Sequence, residues 1–358
     1  MRSRMFAVSV FATFAFVIAA SSISQAQAPA HHIVKFDVTG AGTGAGQGTI
    51  PFLILDDGTI LGEYVDSNGV YHGFLRSPAG AITTFDAPGA GTGSGQGTFP
   101  AEANSTLTVV GYYSDSGGLY HGFIRSSGGA FTTFEDPLAG TGSGQGTFSD
   151  NINKSGLIAG QYTDSNGAFH GFLRSTTGKF LTFDDPLAGT GSGQGTGPSG
   201  TCGLTDTGWI TGSYTDSSNV PHGFLRSPAD VFTTIDPVGT TATFPIGLSA
   251  NETVGGYYID SSAVYHGFTS LNGAITSYDA PNAVLTLANN INSQGTIAGE
   301  YYDSSFVEHG YIRTASGSFL ELSIPGASGT ADNFVNTKGQ ITGIYFDSNG
   351  ANHGFVYE

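Results

Sequence analysis

Seven times along this chain an aspartate stands six residues before a histidine. The pairs are Asp66 and His72, Asp115 and His121, Asp164 and His170, Asp216 and His222, Asp260 and His266, Asp303 and His309, and Asp347 and His353. Carboxylate and imidazole are natural metal ligands and proton carriers, so such pairs could hold an ion or perform acid–base chemistry. They could instead form a scaffold bond, with the aspartate fixing the imidazole tautomer across a short turn. A reaction centre is needed once, whereas a scaffold bond is needed in every repeat, and seven copies favour the scaffold. Calcium in the acidic turns is the remaining option. A calcium site takes about six to eight oxygens, commonly from two or more carboxylates, while each turn offers one aspartate, a serine and carbonyls. No metal and no cofactor is expected.

Each pair lies within a longer skeleton, Gly-x-Tyr-x-Asp-Ser, a few turn residues, then His-Gly-Phe or, at Tyr311, His-Gly-Tyr. The histidines are spaced by 49, 49, 52, 44, 43 and 44 residues. Each unit reads as four short extended runs separated by turn residues. In the third unit the runs are 148–153, 157–164, 169–175 and 179–184, with Asn166-Gly167 supplying the positive φ of a hairpin turn. Helical periodicity is absent from every window of useful length. Four strands per repeat of this length is the signature of a β-propeller blade. Seven fourth-strand ends can be counted, but the first, Phe36-Asp37, precedes any complete unit, and the chain stops just after its seventh third strand. The expected fold is therefore all-β: a single seven-bladed propeller over 31–358, its last blade completed by residues 33–38 pairing beside 354–357. Such closure hides the edges that an open sheet must protect. A solenoid is the competing architecture, but it stacks much shorter rungs.

A second motif, Ala-Gly-Thr-Gly-Ser-Gly-Gln-Gly-Thr, occupies 90–98, 139–147 and 188–196, with Ala45 replacing serine in the copy at 41–49. It is not a phosphate loop, because no helix follows it and no lysine accompanies it. Strand alternation puts these fourth-to-first loops on the same face as the Asp-Ser hairpins. Gln47, Gln96, Gln145 and Gln194 are then the main side-chain amides of four adjacent loops. Amides and exposed backbone N–H groups suit sugar hydroxyls. A flexible duplicated loop is the plainer reading.

Charge narrows the partners. The chain carries 11 Lys plus Arg against 28 Asp plus Glu, a net charge of −17. Residues 1–26 read as a secretory signal, with Arg2 and Arg4 ahead of an apolar run and Ser24-Gln25-Ala26 at the cleavage site. Removing those two arginines makes the charge −19. Nucleic acid and anionic membrane surfaces are excluded as partners, since both demand clustered Lys and Arg. Cys202 is the single cysteine, so no internal disulfide can form; it reads as a small buried apolar residue.

With His-Gly-Phe repeated in this frame, the chain resembles the bacterial extracellular repeat proteins of the HAF family, named for a His-Ala-Phe-like motif. Here the middle residue is Gly171 and its six equivalents, never alanine. The resemblance implies export and a repeat architecture; it implies no activity and no catalytic residue. The expected function is that of an exported, monomeric, non-catalytic binding module, secreted to the periplasm or beyond, with Gln47, Gln96, Gln145 and Gln194 facing a glycan or envelope polymer. A purely structural secreted protein is the alternative. A polysaccharide hydrolase or lyase ranks third, because no singular acid, base or nucleophile is seen to break the repeat.

Overall fold

A computed structural model describes residues 32–200 and 202–358; the expected leader lies outside them. Among the described residues every regular element is a strand, and there are 28. Strand β1 (Ile33–Phe36) stands apart in sequence, and the other 27 fall into sets by antiparallel pairing. Set one is β2–β5, at Gly48–Ile54, Ile60–Val65, Tyr71–Arg76 and Ile82–Phe85. Set two is β6–β9, at Gly97–Ala103, Val109–Ser114, Tyr120–Arg125 and Phe131–Phe134. Set three is β10–β13, at Gly146–Ile152, Ile158–Thr163, Phe169–Arg174 and Phe180–Phe183. Set four is β14–β17, at Gly195–Pro198, Ile210–Thr215, Pro221–Arg226 and Phe232–Ile235. Set five is β18–β21, at Thr240–Leu248, Val254–Asp260, Tyr265–Leu271 and Ala274–Tyr278. Set six is β22–β25, at Leu285–Ile291, Ile297–Tyr302, Glu308–Arg313 and Phe319–Leu322. Set seven has three strands of its own, β26–β28, at Gly329–Val335, Ile341–Phe346 and Asn352–Tyr357. Its fourth position is taken by β1, with Ile33 opposite Tyr357 and Phe36 opposite Gly354. The strand bounds differ from the sequence reading by only one or two residues.

Burial explains the order within a set. First strands such as β6 and β10 are buried along their whole length, while fourth strands such as β9 leave two central threonines exposed. The first strands thus lie innermost and the fourth outermost. Adjacent sets pack through rings: Phe74 meets Phe36 edge-on at 6.2 Å, and Phe172 meets Phe134 at 6.5 Å. The arginine ending many third strands lies over the outer aromatic of the preceding set. Arg76 covers Phe36 at 4.9 Å, Arg174 covers Phe134 at 4.5 Å and Arg313 covers Tyr278 at 4.3 Å. Arginines scarce in this acidic chain are thereby used as inter-set cation–π covers, a role the sequence reading did not find.

The middle glycine of His-Gly-Phe has a steric cause. A Cβ on Gly171 would run into the ring of Phe183, and one on Gly122 would sit 2.6 Å from the ring of Phe134. The outer-strand aromatic lies flat on the third-strand backbone, which leaves no room for alanine.

Candidate functional site

The expected Asp–His pairs are present but are not the shortest contact in most sets: Asp115 and Asp303 reach Nε2 of His121 and His309 at 3.3 Å, and the other five stand at 3.6–3.9 Å. Register sets the geometry: Tyr162 lies opposite His170, and Gly171 opposite Phe183, so Asp184 comes level with His170 at the end of the outer strand. The principal partner of His170 is Asp184, with Nδ1 2.9 Å from Oδ2; Asp164 approaches Nε2 only to 3.8 Å. The same bond joins His72 to Asp86 at 2.9 Å, His222 to Asp236 at 2.7 Å and His266 to Asp279 at 2.8 Å. His121 bonds Glu135, and His353 reaches Asp37 across the two ends of the chain at 3.0 Å. In set six the outer residue is serine, and His309 takes Ser323 Oγ at 3.2 Å. Each imidazole also stacks on the skeleton tyrosine, Tyr162 on His170 at 4.9 Å.

The hairpin aspartates are occupied elsewhere. Asp164 Oδ1 accepts from the backbone N–H groups of Asn166 and Ala168, both at 2.8 Å, and the other six aspartates cap their turns likewise. Burial pushes the Asp164 carboxyl up, but the two backbone N–H groups, the Asn166 amide and nearby His170 together hold the pKa below the ordinary value. The bond to Asp184 raises the pKa of His170, as the bond to Asp86 does for His72. The aspartate is therefore first a turn cap, with the histidine as its second partner. Among the described residues no three His, Cys, Asp or Glu are grouped to hold a metal.

The glycine-rich loops do share a face with these hairpins, and each bridges two of them. Gly95 donates to the Gly69 carbonyl of the preceding set, at 2.9 Å, while Gln96 Nε2 donates to the Ser116 carbonyl of the following set, at 3.2 Å. Gly46 with Gly350, Gly144 with Gly118, and Gly193 with Gly167 repeat the first of these bonds. Single parallel bridges run beside each loop, Gly48 with Asn352, Tyr71 with Gly97, Gly146 with Tyr120 and Phe169 with Gly195. These bridges join sets seven, one, two, three and four into one continuous sheet, whereas sets five and six, which lack the loop, stay separate. Gly97 has φ +127, and a Cβ there would penetrate the Tyr71 backbone, so the close approach demands glycine.

The four loop glutamines sit where the sequence reading put them, but their amides serve the loop. Oε1 of Gln47, Gln96, Gln145 and Gln194 accepts from Gly44, Gly93, Gly142 and Gly191, at 2.8–3.0 Å. What the loops turn outward is hydroxyl and bare backbone. Thr43, Thr92, Thr141 and Thr190 are exposed, and nothing lies within 4 Å of a Cβ built on Gly46, Gly95, Gly144 or Gly193.

A second candidate site was not anticipated. The inner strands, together with glycine-rich loop residues Gly144, Gln145 and Gly193 and the hairpin at Asn166, line an axial cavity of about 1170 Å³. Register shifts in β2, β6, β10, β18, β22 and β26 mark a bulge at one equivalent place, and the bulged residue faces the cavity. Those residues, with Ser199 in set four, are Phe52, Ala101, Asp150, Ile246, Asn289 and Asn333. The fourth residue of the second strand also faces inward, as Glu63, Gln161, Ser213, Tyr257, Glu300 and Ile344. The expectation that no singular acid breaks the repeat fails here. A bulge puts two successive residues on one face, so counting alternation along the repeat misses it. The available signal was the pile-up of repeat-to-repeat differences at these two positions.

Beyond the end of β14, Cys202 is half-buried rather than buried, at φ 56, and its thiol lies 3.8 Å from Glu102 Oε1. Burial pushes Glu102 up to about 8, and burial together with Glu102 pushes the thiol up as well. No helix among the described residues is long and apolar enough to cross a membrane.

No family model matches the chain, and no curated protein matches it. Solved structures do. A lectin from Burkholderia pseudomallei, BP39L, superposes with a TM-score of 0.54 at 12% identity, over 84% of this chain and 92% of its own. Puromycin hydrolase gives a TM-score of 0.54 at 12% identity over 85% of this chain, which spans about half of that protein, 51%. The Aleuria aurantia lectin, described as a six-bladed β-propeller, is more distant: TM-score 0.41 at 13% identity, over 81% of this chain and 93% of its own. At such identities the likeness speaks for the fold alone. The protein is all-β and β-propeller-like.

Proposed function

We propose that the chain from about residue 31 forms a single seven-bladed propeller closed by β1, exported behind residues 1–26, of the HAF-like repeat type, and working as a non-catalytic glycan-binding module. The observation that carries this reading is the fourfold loop face. Four loops hold one conformation, each presenting an exposed threonine beside a glycine backbone with open space above it. Hydroxyls and unobstructed backbone groups on a rigid support suit the hydroxyls of a sugar. Gln47, Gln96, Gln145 and Gln194 act in this site by holding the loop shape, their carbonyls engaged as described. The lectin among the similar structures agrees with this class of partner. The partner is a glycan or envelope polymer met by a monomer in the periplasm or outside the cell, with no nucleic acid and no membrane insertion.

The internally satisfied amides also favour a second reading, a purely structural repeat protein. A glycan array separates the two. Gly46, Gly95, Gly144 and Gly193 have φ between +74° and +81°, which asparagine tolerates, so replacing all four by Asn covers the face without straining the loops. Array binding by the natural protein, lost in that variant at unchanged Tm, is the expected result. An array without signal supports the structural reading, and turnover of any polysaccharide overturns the non-catalytic assignment.

A further inference from the structure

Rings fill the inner borders between the first sets. Tyr71 of set one lies on Phe99 of set two with centroids 4.7 Å apart, and Tyr120 of set two lies on Phe148 of set three at 4.6 Å. Tyr112 of set two also meets Phe148, at 5.1 Å. At the border of sets three and four the same three places are held by Phe169, Gly197 and Gln161. Glycine stands where the ring should be, and among the described residues no ring lies against Phe169. Gln161 projects over Gly197, where an added Cβ would run into its Oε1. Register places Ser213 opposite Gly197 and Thr163 opposite Phe169. Thr163 is 3% exposed, and its Oγ1 has no partner among the described residues. All five residues line the axial cavity, so the missing ring leaves a recess in its wall. Neighbouring bonds stop the sets from closing on that space. Gly193 donates to the Gly167 carbonyl at 2.9 Å, Asn151 Nδ2 to the Ser199 carbonyl at 2.7 Å, and Ser199 Oγ to the Pro245 carbonyl at 2.6 Å, which fixes set four against sets three and five.

We propose that this recess holds one neutral pyranose ring, its apolar face on Phe169 and its hydroxyls on Gln161, Ser213 and Thr163. The proposal rests on the glycan reading above and gives it one principal pocket. The cavity opens to the loop face past Gln145, Asn166 and Gly193, so a ring in the recess can stay joined to a chain lying across the loops. A pyranose combines the two things the recess offers partners for. Its C–H face covers the ring that Gly197 leaves bare, and its edge of hydroxyls meets neutral donors and acceptors. A hydroxyl on Thr163 Oγ1 also satisfies a buried polar atom that is otherwise costly to leave unpaired. None of the five recess residues is ionisable, and the whole cavity lining contains no lysine or arginine. The carboxylate of an acidic sugar would lose its water there without gaining a counter-charge.

Saturation-transfer difference NMR with the methyl glycosides of glucose, galactose and mannose is the test, with methyl glucuronide as the anionic control. Saturable transfer to at least one neutral glycoside, strongest at the C–H protons of one ring face, is the expected result, with none to the glucuronide. Two variants locate the site. Gly197→Phe restores the ring that sets two and three carry at this place and displaces only the free end of Gln161. Phe169→Leu removes the platform and keeps its apolar bulk. Each is expected to weaken the glycoside about tenfold or more at unchanged circular dichroism. Thr43→Ala with Thr92→Ala, on loops away from the recess, is expected to leave it intact. No transfer to any of the three, equal transfer to the glucuronide, transfer that survives either folded variant, or an equal loss in the threonine control overturns the proposal. The two readings fail separately. An array signal lost in the four-loop Asn variant but kept in Gly197→Phe upholds the loop face and sinks the recess; a silent array beside glycoside binding that Gly197→Phe removes does the reverse.

Discussion

Nδ1 of His170 lies 2.9 Å from Oδ2 of Asp184, a residue fourteen positions later at the end of the next strand. The bond ties the third strand of a set to its outermost one, and its equivalents recur around the molecule. His353 and Asp37 make it between the two ends of the chain. Since a carboxylate can only accept, Nδ1 carries the proton and Nε2 is left facing Asp164. The repeated histidine is thus an outer-strand latch, with the hairpin aspartate as a separate turn cap.

Single and double substitutions should separate those roles. His170→Ala and Asp184→Asn are expected to be coupled by about 0.5–1 kcal/mol, as suits a part-exposed ion pair. Coupling between His170 and Asp164 should be smaller. Asp164→Asn, which keeps the acceptor for two backbone N–H groups, should preserve Tm better than Asp164→Ala. Chemical denaturation of the double-mutant cycle gives the numbers; a stronger His170–Asp164 coupling would contradict the geometry.

Removal of residues 32–38 takes away β1, its pairing with β28 and the Asp37 carboxylate. It also exposes Phe74 and Arg76, which Phe36 covers. A fall in Tm of about 5 °C or more, roughly 3 kcal/mol or more in a chain of this size, is expected by differential scanning calorimetry. An unchanged Tm would mean that the first strand does not close the architecture.

Gly171→Ala tests the close approach of the outer aromatic. The added methyl group has no space beside Phe183, so a loss of about 1–3 kcal/mol is expected, as for overpacking in a core. Pairing the change with Phe183→Leu should restore part of it, and no restoration would place the clash elsewhere.

Stability should fall as pH rises from about 5.5 to about 8.5. His72 and His170 have raised pKa values from their carboxylate partners, and Glu102 and Glu300 have raised values from burial. A group that holds its proton more tightly when folded contributes fully below its unfolded pKa, about 6.5 for His and 4.3 for Glu, and loses that contribution as pH passes its folded value. For Glu102 that value is about 8. The hairpin aspartates act in the opposite sense, since their lowered values make stability fall in acid below about pH 4. Tm followed from pH 3 to 9 should therefore peak near pH 5. Glu102→Gln should flatten the alkaline side, and a Tm still rising above pH 7 would reverse the assignment.

Repetition made the scaffold legible without coordinates. Four strands per unit follow from alternating apolar residues punctuated by Asn-Gly and Ser-Gly turns, and the odd first strand follows from counting ends. The shared face of hairpins and glycine loops follows from strand direction. These are local properties, and each copy repeats them. Which acid His170 bonds was not local: Asp164 is nearer in sequence, but antiparallel register brings Asp184 alongside while the turn's own N–H groups capture Asp164. The glutamine amides were placed on the right loops, yet only the packed loop shows them turned back on Gly44 and its equivalents. The axial cavity was hidden for a stronger reason. Phe52, Asp150 and Asn289 face the axis because a bulge interrupts the alternation that sequence reading relies on, and the inner wall exists only once the sets stand side by side.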